Sequence, residues 1–511
     1  MTRDARHPGE HADRAAGPST LLDDVTAGLD AALPPGEVGD TELSAADRTG
    51  VAVVSADHAD PAGEWPRSGA FGYGLSTGRA RVAAHAELAE EMLLSRRLRE
   101  LEPVRDSYTA LRAVRGDDRV VDPVSLVLPA GTADDPDRPR WWLPTTRWRT
   151  GEDVLVPAEF AAAYPVDLDW QPADERLVTV ITNGCGAGDT VERAVGHALG
   201  ELLQRDGNAT AFRALDRGIV IDTAGVTDPD TRRLLDHLAE VGITVVPKLA
   251  STAFGVTDLH VVGYDTDPAD APHPVSITAC GEAAHPDREV ALQKALLEFC
   301  SARVRKLVAH ADLDTVRPLF DARYWARELA HPVPPQERRA FEAMADWTAR
   351  GAAALRELLA PTVLARRETV AFTDLPHTPG LAEPGALLDD LLARLDGFDV
   401  LTVVADAGSA VTAKVIVPGL EVETMSYGRI GARGVERLLA RGSDLVGLGD
   451  PPHAGAQPVA LTAEGRDRLG GPAWLDRAAV DRTVGELYPL YREPTRHALA
   501  RAGAGEPVDL R

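Results

Sequence analysis

Apolar and polar positions along the chain predict helices and strands in alternation. Residues 79–98 contain no glycine or proline and carry apolar residues at helical spacing, which predicts a helix. The apolar run 177–182 is typical of a buried strand, and a glycine-rich turn over 183–190 leads from it into another helix. Two further helices are predicted over 231–242 and 287–310, with strands between them. This alternation predicts an α+β (mixed α/β) fold.

The helix after the glycine-rich turn carries a start signal. Asp189 stands where a residue would cap the helix, and Glu192 follows three residues later, as in a capping box.

Shifts in composition divide the chain into three segments. Residues 1–44 are predicted to form an N-terminal arm, disordered in part because its first 20 residues are polar. Residues 45–440 form the main domain, with a loop-rich insertion at about 116–176 that is rich in Pro, Asp and Trp. Residues 441–511 are predicted to be a Pro/Gly linker followed by a helical tail.

Charge and cysteine content exclude several classes of protein. The 511 residues carry a net charge of −25, which opposes binding to a phosphate backbone, so we expect no nucleic-acid partner. Three cysteines without CxxC spacing argue against a disulfide framework or a structural zinc site and favour the reducing cytoplasm. No apolar run approaches a membrane span, and the N-terminus lacks the apolar core of a signal peptide, so we expect no membrane association.

Three predicted helices carry a glutamate followed by a second polar residue at i+3. The pairs are Glu87–Glu90, Glu201–Gln204 and Glu298–Ser301. Residues at this spacing point the same way, and carboxylates that converge on one pocket suit Mg²⁺ bound to phosphates. The alternative is that each glutamate lies on a solvated helix face, where glutamate is common. Spacing alone leaves both interpretations open.

The turn from Asn183 to Gly188 lies between the predicted strand and a helix N-terminus. Its backbone N–H groups and the helix dipole could bind a phosphate. It matches neither the Walker A pattern nor the dinucleotide fingerprint, so a tight structural turn remains the alternative.

Six motifs, in order across about residues 45–435, make the chain similar to the YcaO superfamily. They are DRTGVAVVSADHADP, GLSTGRARVAAHAELAEE, TRWRTGEDVLVPAEF, TNGCGAGDTVERAVGHALGELLQRD, GEAAHPDREVALQKALLEFCSAR and AKVIVPGLE. The resemblance implies a YcaO-like fold in which helices pack on sheets, here with a helical C-terminal extension. It also implies ATP and Mg²⁺ as cofactors. The reaction that the resemblance implies is transfer of phosphate to a backbone amide oxygen of a ribosomally made precursor peptide. The activated amide then becomes an azoline, a thioamide or an amidine.

The resemblance assigns roles to individual residues. Those implied to hold the metal are Glu87, Glu90, Glu201 and Glu298. Those implied to bind the nucleotide are Asn183, Arg205, Glu201, Glu298 and Arg303. The resemblance assigns no catalytic residue beyond these two sets.

The chain departs from the family pattern at five positions. They are Ala83, Glu91, Arg193, Gln204 and Ser301. Gln204 and Arg193 replace acids, and Arg193 alone would shift the charge of the site by two units toward positive. Two functions follow: an ATP-dependent, cyclodehydratase-like enzyme that activates peptide backbone amides, or a degenerate, non-catalytic subunit that binds the precursor peptide or an active partner. A separate leader-recognition or ThiF-like protein is expected to deliver the peptide, and the sequence leaves open whether the chain forms a homodimer.

Overall fold

A computed structural model describes residues 18–133 and 135–511, and within them the fold is mixed α+β. The helices are α1 Pro18–Ala32, α2 Thr77–Glu100, α3 Tyr108–Arg115, α4 Ala158–Ala161, α5 Val191–Asn208, α6 Pro229–Glu240, α7 Arg288–His310, α8 Leu313–Val316, α9 Ala322–Glu328, α10 Arg338–Leu359, α11 Pro384–Arg394, α12 Thr424–Tyr427, α13 Ala432–Ala440, α14 Ala463–Leu469, α15 Arg477–Val484 and α16 Ala498–Gly503. The strands are β1 Glu37–Glu42, β2 Ala52–Ala59, β3 Ser68–Gly74, β4 Val104–Asp106, β5 Arg140–Arg147, β6 Asp153–Pro157, β7 Cys185–Gly188, β8 Ile219–Asp222, β9 Ile243–Ser251, β10 Thr257–Asp265, β11 Cys280–His285, β12 Glu368–Ala371, β13 Leu401–Asp406, β14 Val411–Ile416, β15 Val446–Leu448, β16 Ala456–Pro458 and β17 Ala473–Asp476.

The strands form four sheets. β1, β2 and β3 make an antiparallel sheet in that order, and β11-β10-β9-β8-β12 make a five-stranded one whose last pair is parallel. A six-stranded sheet runs β4-β5-β13-β14-β7, with β6 paired to β5. The fourth sheet, β15-β17-β16, lies near the C-terminus.

Three strand–helix units have the same close contact. In each, a glycine of the strand faces the backbone of the following helix: Gly72 of β3 against α2, Gly186 of β7 against α5, and Gly281 of β11 against α7. A Cβ atom at these glycines would lie 2.0, 2.3 and 2.0 Å from a helix carbonyl oxygen, so only glycine permits this approach. The three long helices are therefore seated on their strands in equivalent ways.

The second of these units corrects the sequence prediction. Residues 177–182 form no strand; the strand is β7, Cys185–Gly188, inside the predicted glycine-rich turn, and it pairs with β14. The cap of α5 is Thr190, whose side chain accepts from the Arg193 N–H at 3.2 Å, and not Asp189. Two of the glycines for which the sequence predicts a turn lie in this strand, and Gly186 allows the strand to pack closely against α5.

The predicted segments also differ from the structure in detail. Of the N-terminal arm, residues 1–17 lie outside the described residues, whereas α1 packs on α2 and β1 pairs with β2. The loop-rich insertion supplies β5 and β6 to the six-stranded sheet. The expected linker and helical tail contains helices but also the sheet β15-β17-β16, so it is not purely helical. Apolar residues of this segment pack with Met344 and Trp347 of α10, so it adds to the core.

Within the described ranges, no helix combines the length and the apolar character that crossing a bilayer requires.

Candidate functional site

Helices α2, α5 and α7 turn one face each toward a common cavity of about 570 Å³. The acids that line it are Glu87, Glu90, Glu201 and Glu298. The bases that line it are Arg205, Lys294 and Arg305. The four carboxylates for which the sequence predicts a shared metal site thus lie around one cavity, although they come from three helices.

The equivalent seating of the helices explains this convergence. In each unit the carbonyl nearest the strand glycine belongs to an alanine: Ala80, Ala194 or Ala295. Residues three, seven and ten positions later share one helix face, because an α-helix has about 3.6 residues per turn. Those that line the cavity are Ala83, Glu87 and Glu90 on α2, His197, Glu201 and Gln204 on α5, and Glu298 and Arg305 on α7.

Three of the acids are oriented by a backbone N–H of their own unit. Glu87 accepts a hydrogen bond from Phe71 at 3.2 Å, and Glu201 accepts one from Gly184 at 2.9 Å. Glu298 accepts one from the N–H of Glu282 at 2.8 Å. Because a carboxylate has two oxygens with several acceptor sites, this backbone contact fixes its direction and leaves acceptor capacity for a ligand.

The protein around the cavity makes ionisation of Glu87, Glu90 and Glu298 unfavourable. Glu87 is reached by water from the cavity, yet desolvation raises its pKa to about 7, against the opposing charge of Arg305. Desolvation and the neighbouring Glu201 raise the pKa of Glu90 well above its ordinary value. Desolvation and Glu282 raise the pKa of Glu298. A divalent cation would relieve this repulsion, so the acids suit a metal-bound ligand.

Two of the three cavity bases are free to meet an anion. Arg205 pairs with Glu201 at 3.1 Å and with Glu282 at 3.3 Å. Lys294 and Arg305 have no ion pair or hydrogen bond with any described residue, and the buried Nε of Arg305 lacks a partner. Cations without a carboxylate partner in a cavity suit phosphate oxygens.

Sequence reasoning missed these two bases, although the spacing contains the signal. Lys294 stands four residues before Glu298 and Arg305 stands seven after it, and both offsets lie on the same helix face.

Arg303, which the resemblance assigns to the nucleotide, lies outside the cavity. Its guanidinium is fully buried and pairs with Asp47 at 2.7 Å and with Asp265 at 3.0 Å. It follows Glu298 by five residues, about 140° around the helix, so it points away from the cavity. Arg303 therefore ties α7 to the residues before β2 and to β10.

Asn183 lies beside the main cavity. It lines an adjoining pocket of about 200 Å³ that shares Thr182 and Arg205 with the cavity. Its carbonyl oxygen accepts a hydrogen bond from Lys414 Nζ at 2.7 Å.

The five departures from the family pattern separate in space. Ala83 and Gln204 line the cavity. Glu91 accepts a hydrogen bond from the Ser68 hydroxyl, and Ser301 is buried with its hydroxyl unpartnered. Arg193 is 51% exposed and pairs with Asp189 at 2.6 Å. The charge of Arg193 therefore lies on the outer surface, paired with Asp189. The expected change of two units in the charge of the site does not occur in the cavity.

The residues present fit a nucleotide that carries Mg²⁺. Glu87, Glu90, Glu201 and Glu298 could hold metal, and Lys294 and Arg305 could hold phosphate oxygens. In the part of the chain that the structure describes, no three His, Cys, Asp or Glu side chains are grouped closely enough to hold an ion alone. Acids spread around a cavity suit ions that phosphate oxygens help to coordinate.

Comparison with known proteins gives a family match. A family model described as YcaO cyclodehydratase, ATP- and Mg²⁺-binding, matches residues 71–421. An uncharacterized protein of Methanothermobacter thermautotrophicus is 28% identical over 413 residues, which cover 77% of this chain and 92% of that protein.

Two solved structures have a similar fold. YcaO from Methanopyrus kandleri, bound with AMPPCP and Mg²⁺, aligns with a TM-score of 0.53 at 20% identity over 80% of this chain and 92% of that one. A heterocyclase in complex with substrate and cofactor aligns with a TM-score of 0.59 at 15% identity, over 84% of this chain and 56% of that one.

Proposed function

The chain belongs to the YcaO family, whose cofactors are ATP and Mg²⁺, and we propose that it uses them to phosphorylate a backbone amide of a ribosomally made precursor peptide. A cyclodehydratase-like function of the YcaO type follows from membership of the family. The observation that carries the proposal is the single cavity in which four glutamates face two unpaired bases.

In this proposal the acidic residues of the cavity bind the metal and the basic residues bind phosphate. Mg-ATP supplies the phosphoryl group that turns an amide oxygen into a leaving group. Glu87, Glu90 and Glu298 would neutralise the charge of Mg²⁺. The pKa of these carboxyl groups would fall as a result, so Mg-ATP binding would release protons. Lys294 and Arg305 hold phosphate oxygens, and Arg205, fixed by Glu201, keeps the acid on α5 in place.

Nucleotide binding tests the proposal. Isothermal titration of AMPPCP should give heat only with Mg²⁺ present, and Glu298→Gln should weaken binding at least tenfold, because one acid of the cavity loses its charge. Glu192→Gln is the matched control: it makes the same change on an exposed position of α5 outside the cavity, and binding should stay within twofold. Equal affinity for the Glu298 variant and the wild type would show that the nucleotide lies elsewhere.

A second function is favoured by one observation, the replacement of an acid by Gln204 in the cavity. A degenerate, non-catalytic subunit would hold the precursor peptide or an active partner without consuming ATP. The same titration separates the two, because such a subunit gives no heat with millimolar AMPPCP and Mg²⁺.

For either function, we propose that a separate leader-recognition or ThiF-like partner delivers the peptide in the cytoplasm. Pull-down of candidate partners with the full chain tests this, and a chain that binds its peptide unaided would contradict it.

A further inference from the structure

The pocket beside the nucleotide cavity has groups that the proposed phosphoryl transfer does not use. This side pocket of about 200 Å³ is formed at the end of α5, by Phe212 and Arg213 after it, and by α12. It adjoins the main cavity, and Thr182 and Arg205 line both. A ligand in the side pocket would therefore contact two residues that also line the proposed nucleotide cavity.

Asn208 offers the side pocket an acceptor. The residue is 2% exposed, and its Nδ2 donates to Glu282 at 3.0 Å. Its Oδ1 has no hydrogen-bond partner. A buried acceptor left without a donor is unfavourable, so this position favours a ligand that brings an N–H group.

Arg213 offers a donor. Its backbone is in the left-handed region with φ at 55°, which is unfavourable for a residue other than glycine. Its guanidinium lies over the rings of Phe212 and Tyr491, at 4.6 and 5.1 Å from their centroids. It has no ion pair or hydrogen bond with any described residue. The fold thus holds a strained residue with its charge available to a ligand.

The acids of the side pocket determine the charge of that ligand. Glu282 is engaged by Arg205 and Asn208, and Glu423 accepts from the N–H groups of Met425 and Ser426 at 3.0 and 2.6 Å. Two carboxylates then balance the two arginines that line the pocket. Because these charges cancel, the pocket has no excess positive charge to attract a phosphate group, and a neutral ligand fits it.

We propose that the side pocket binds a backbone amide of the substrate peptide next to the amide that is phosphorylated. A peptide amide is neutral and has one donor and one acceptor, as the pocket requires. Its N–H donates to Asn208 Oδ1, and its C=O accepts from Arg213. The neighbouring amide then lies toward Thr182 and Arg205, the residues that the side pocket shares with the nucleotide cavity. This inference rests on the proposed function, and Arg213 and Asn208 are substrate-binding residues in it.

Saturation-transfer NMR with N-acetylglycine N′-methylamide, a neutral probe with two amides, tests the proposal. The full-length wild type with Mg²⁺ and AMPPCP should give a saturable signal at millimolar probe. Arg213→Met should weaken probe binding at least fivefold and leave AMPPCP affinity within twofold, and Arg213→Lys, which keeps the charge, should recover part of it. In the wild type, the probe should also protect Arg213 from phenylglyoxal, a measurement that does not depend on the variants folding.

Four results would overturn the inference: no saturable probe signal, unchanged probe binding in Arg213→Met, no protection from phenylglyoxal, or a fivefold loss of AMPPCP affinity in Arg213→Met. The last result would assign the side pocket to the nucleotide. Failure of the proposed function is distinguishable, because it appears as absent AMPPCP binding in the wild type while probe binding still reports on the side pocket.

Discussion

Replacing Gln204 with glutamate should strengthen Mg-nucleotide binding, because Gln204 lines the cavity beside the acids of α2 and α5. A unit charge pair about 4 Å apart contributes about 4 kcal/mol at an effective dielectric of 20. Repulsion from Glu90 and Glu201 offsets part of this gain by raising the pKa of the new carboxyl. We therefore expect a net gain of about 1–3 kcal/mol, which is a decrease of about 5- to 150-fold in Kd.

The assay is isothermal titration of AMPPCP with Mg²⁺ at pH 8, where more of the cavity carboxylates are ionised. Arg193→Glu is the matched control, because both substitutions restore an acid of the family motif on α5 but only one position faces the cavity. The Arg193 side chain is 51% exposed, and salt screens charges on the outer surface, so its substitution should change Kd by less than twofold.

Two outcomes would refute this reasoning. Unchanged or weaker binding in Gln204→Glu would mean that no cation lies within reach of this position. An equal gain from Arg193→Glu would mean that the overall charge of the protein, and not the geometry of the cavity, sets nucleotide affinity.

Three further predictions follow from other contacts. Desolvation by the surrounding protein raises the pKa of Glu87 to about 7, so Mg-nucleotide affinity should rise about tenfold from pH 6 to pH 8, and Glu87→Gln should flatten that profile in titrations. Burial opposes the charge of His85, but hydrogen bonds to Asp30 and Asp40 outweigh it and raise its pKa to about 9. The stability from His85 is thus complete below about pH 6.5 and is lost as pH rises through 9; thermal melts should show this, and His85→Gln should abolish it. Gly186→Ala should destabilise the fold by about 1–3 kcal/mol in denaturant unfolding, because its Cβ would lie 2.3 Å from a carbonyl oxygen of α5.

Each of the three has a control and a contradicting result. Glu192→Gln should keep the wild-type pH profile of nucleotide binding, and a flat profile in the wild type would contradict the role of Glu87. A melting temperature that does not fall between pH 7 and 9.5 would contradict the ion pairs of His85. Gly385→Ala adds a Cβ where no atom lies within 4 Å, so it should be nearly neutral, and an equal loss in both variants would contradict the close-approach argument for Gly186.

Local pattern was sufficient for several features of this protein. The hydrophobic pattern predicted α2 and α7, and it predicted strands between residues 242 and 287, where β9 and β10 lie. The i, i+3 spacing put Glu87 and Glu90 on one face of α2, because side-chain direction within a helix depends only on its repeat. The order of the six motifs identified the family, which the family model confirms.

Tertiary structure alone decided which faces of the helices meet. Arg193 and Gln204 both replace family acids on α5, yet Arg193 lies on the surface and Gln204 lies in the cavity. They differ because the close contact at the strand glycine Gly186 fixes the rotation of α5 about its axis. The same holds on α7, where Arg305 and not Arg303 reaches the cavity. Helix rotation depends on contacts with strands that are distant in sequence, and β7 itself is fixed by pairing with β14, more than 200 residues later. A local pattern gives the spacing of the glutamates, but it does not show which strand packs against each helix and so directs the glutamates into the cavity.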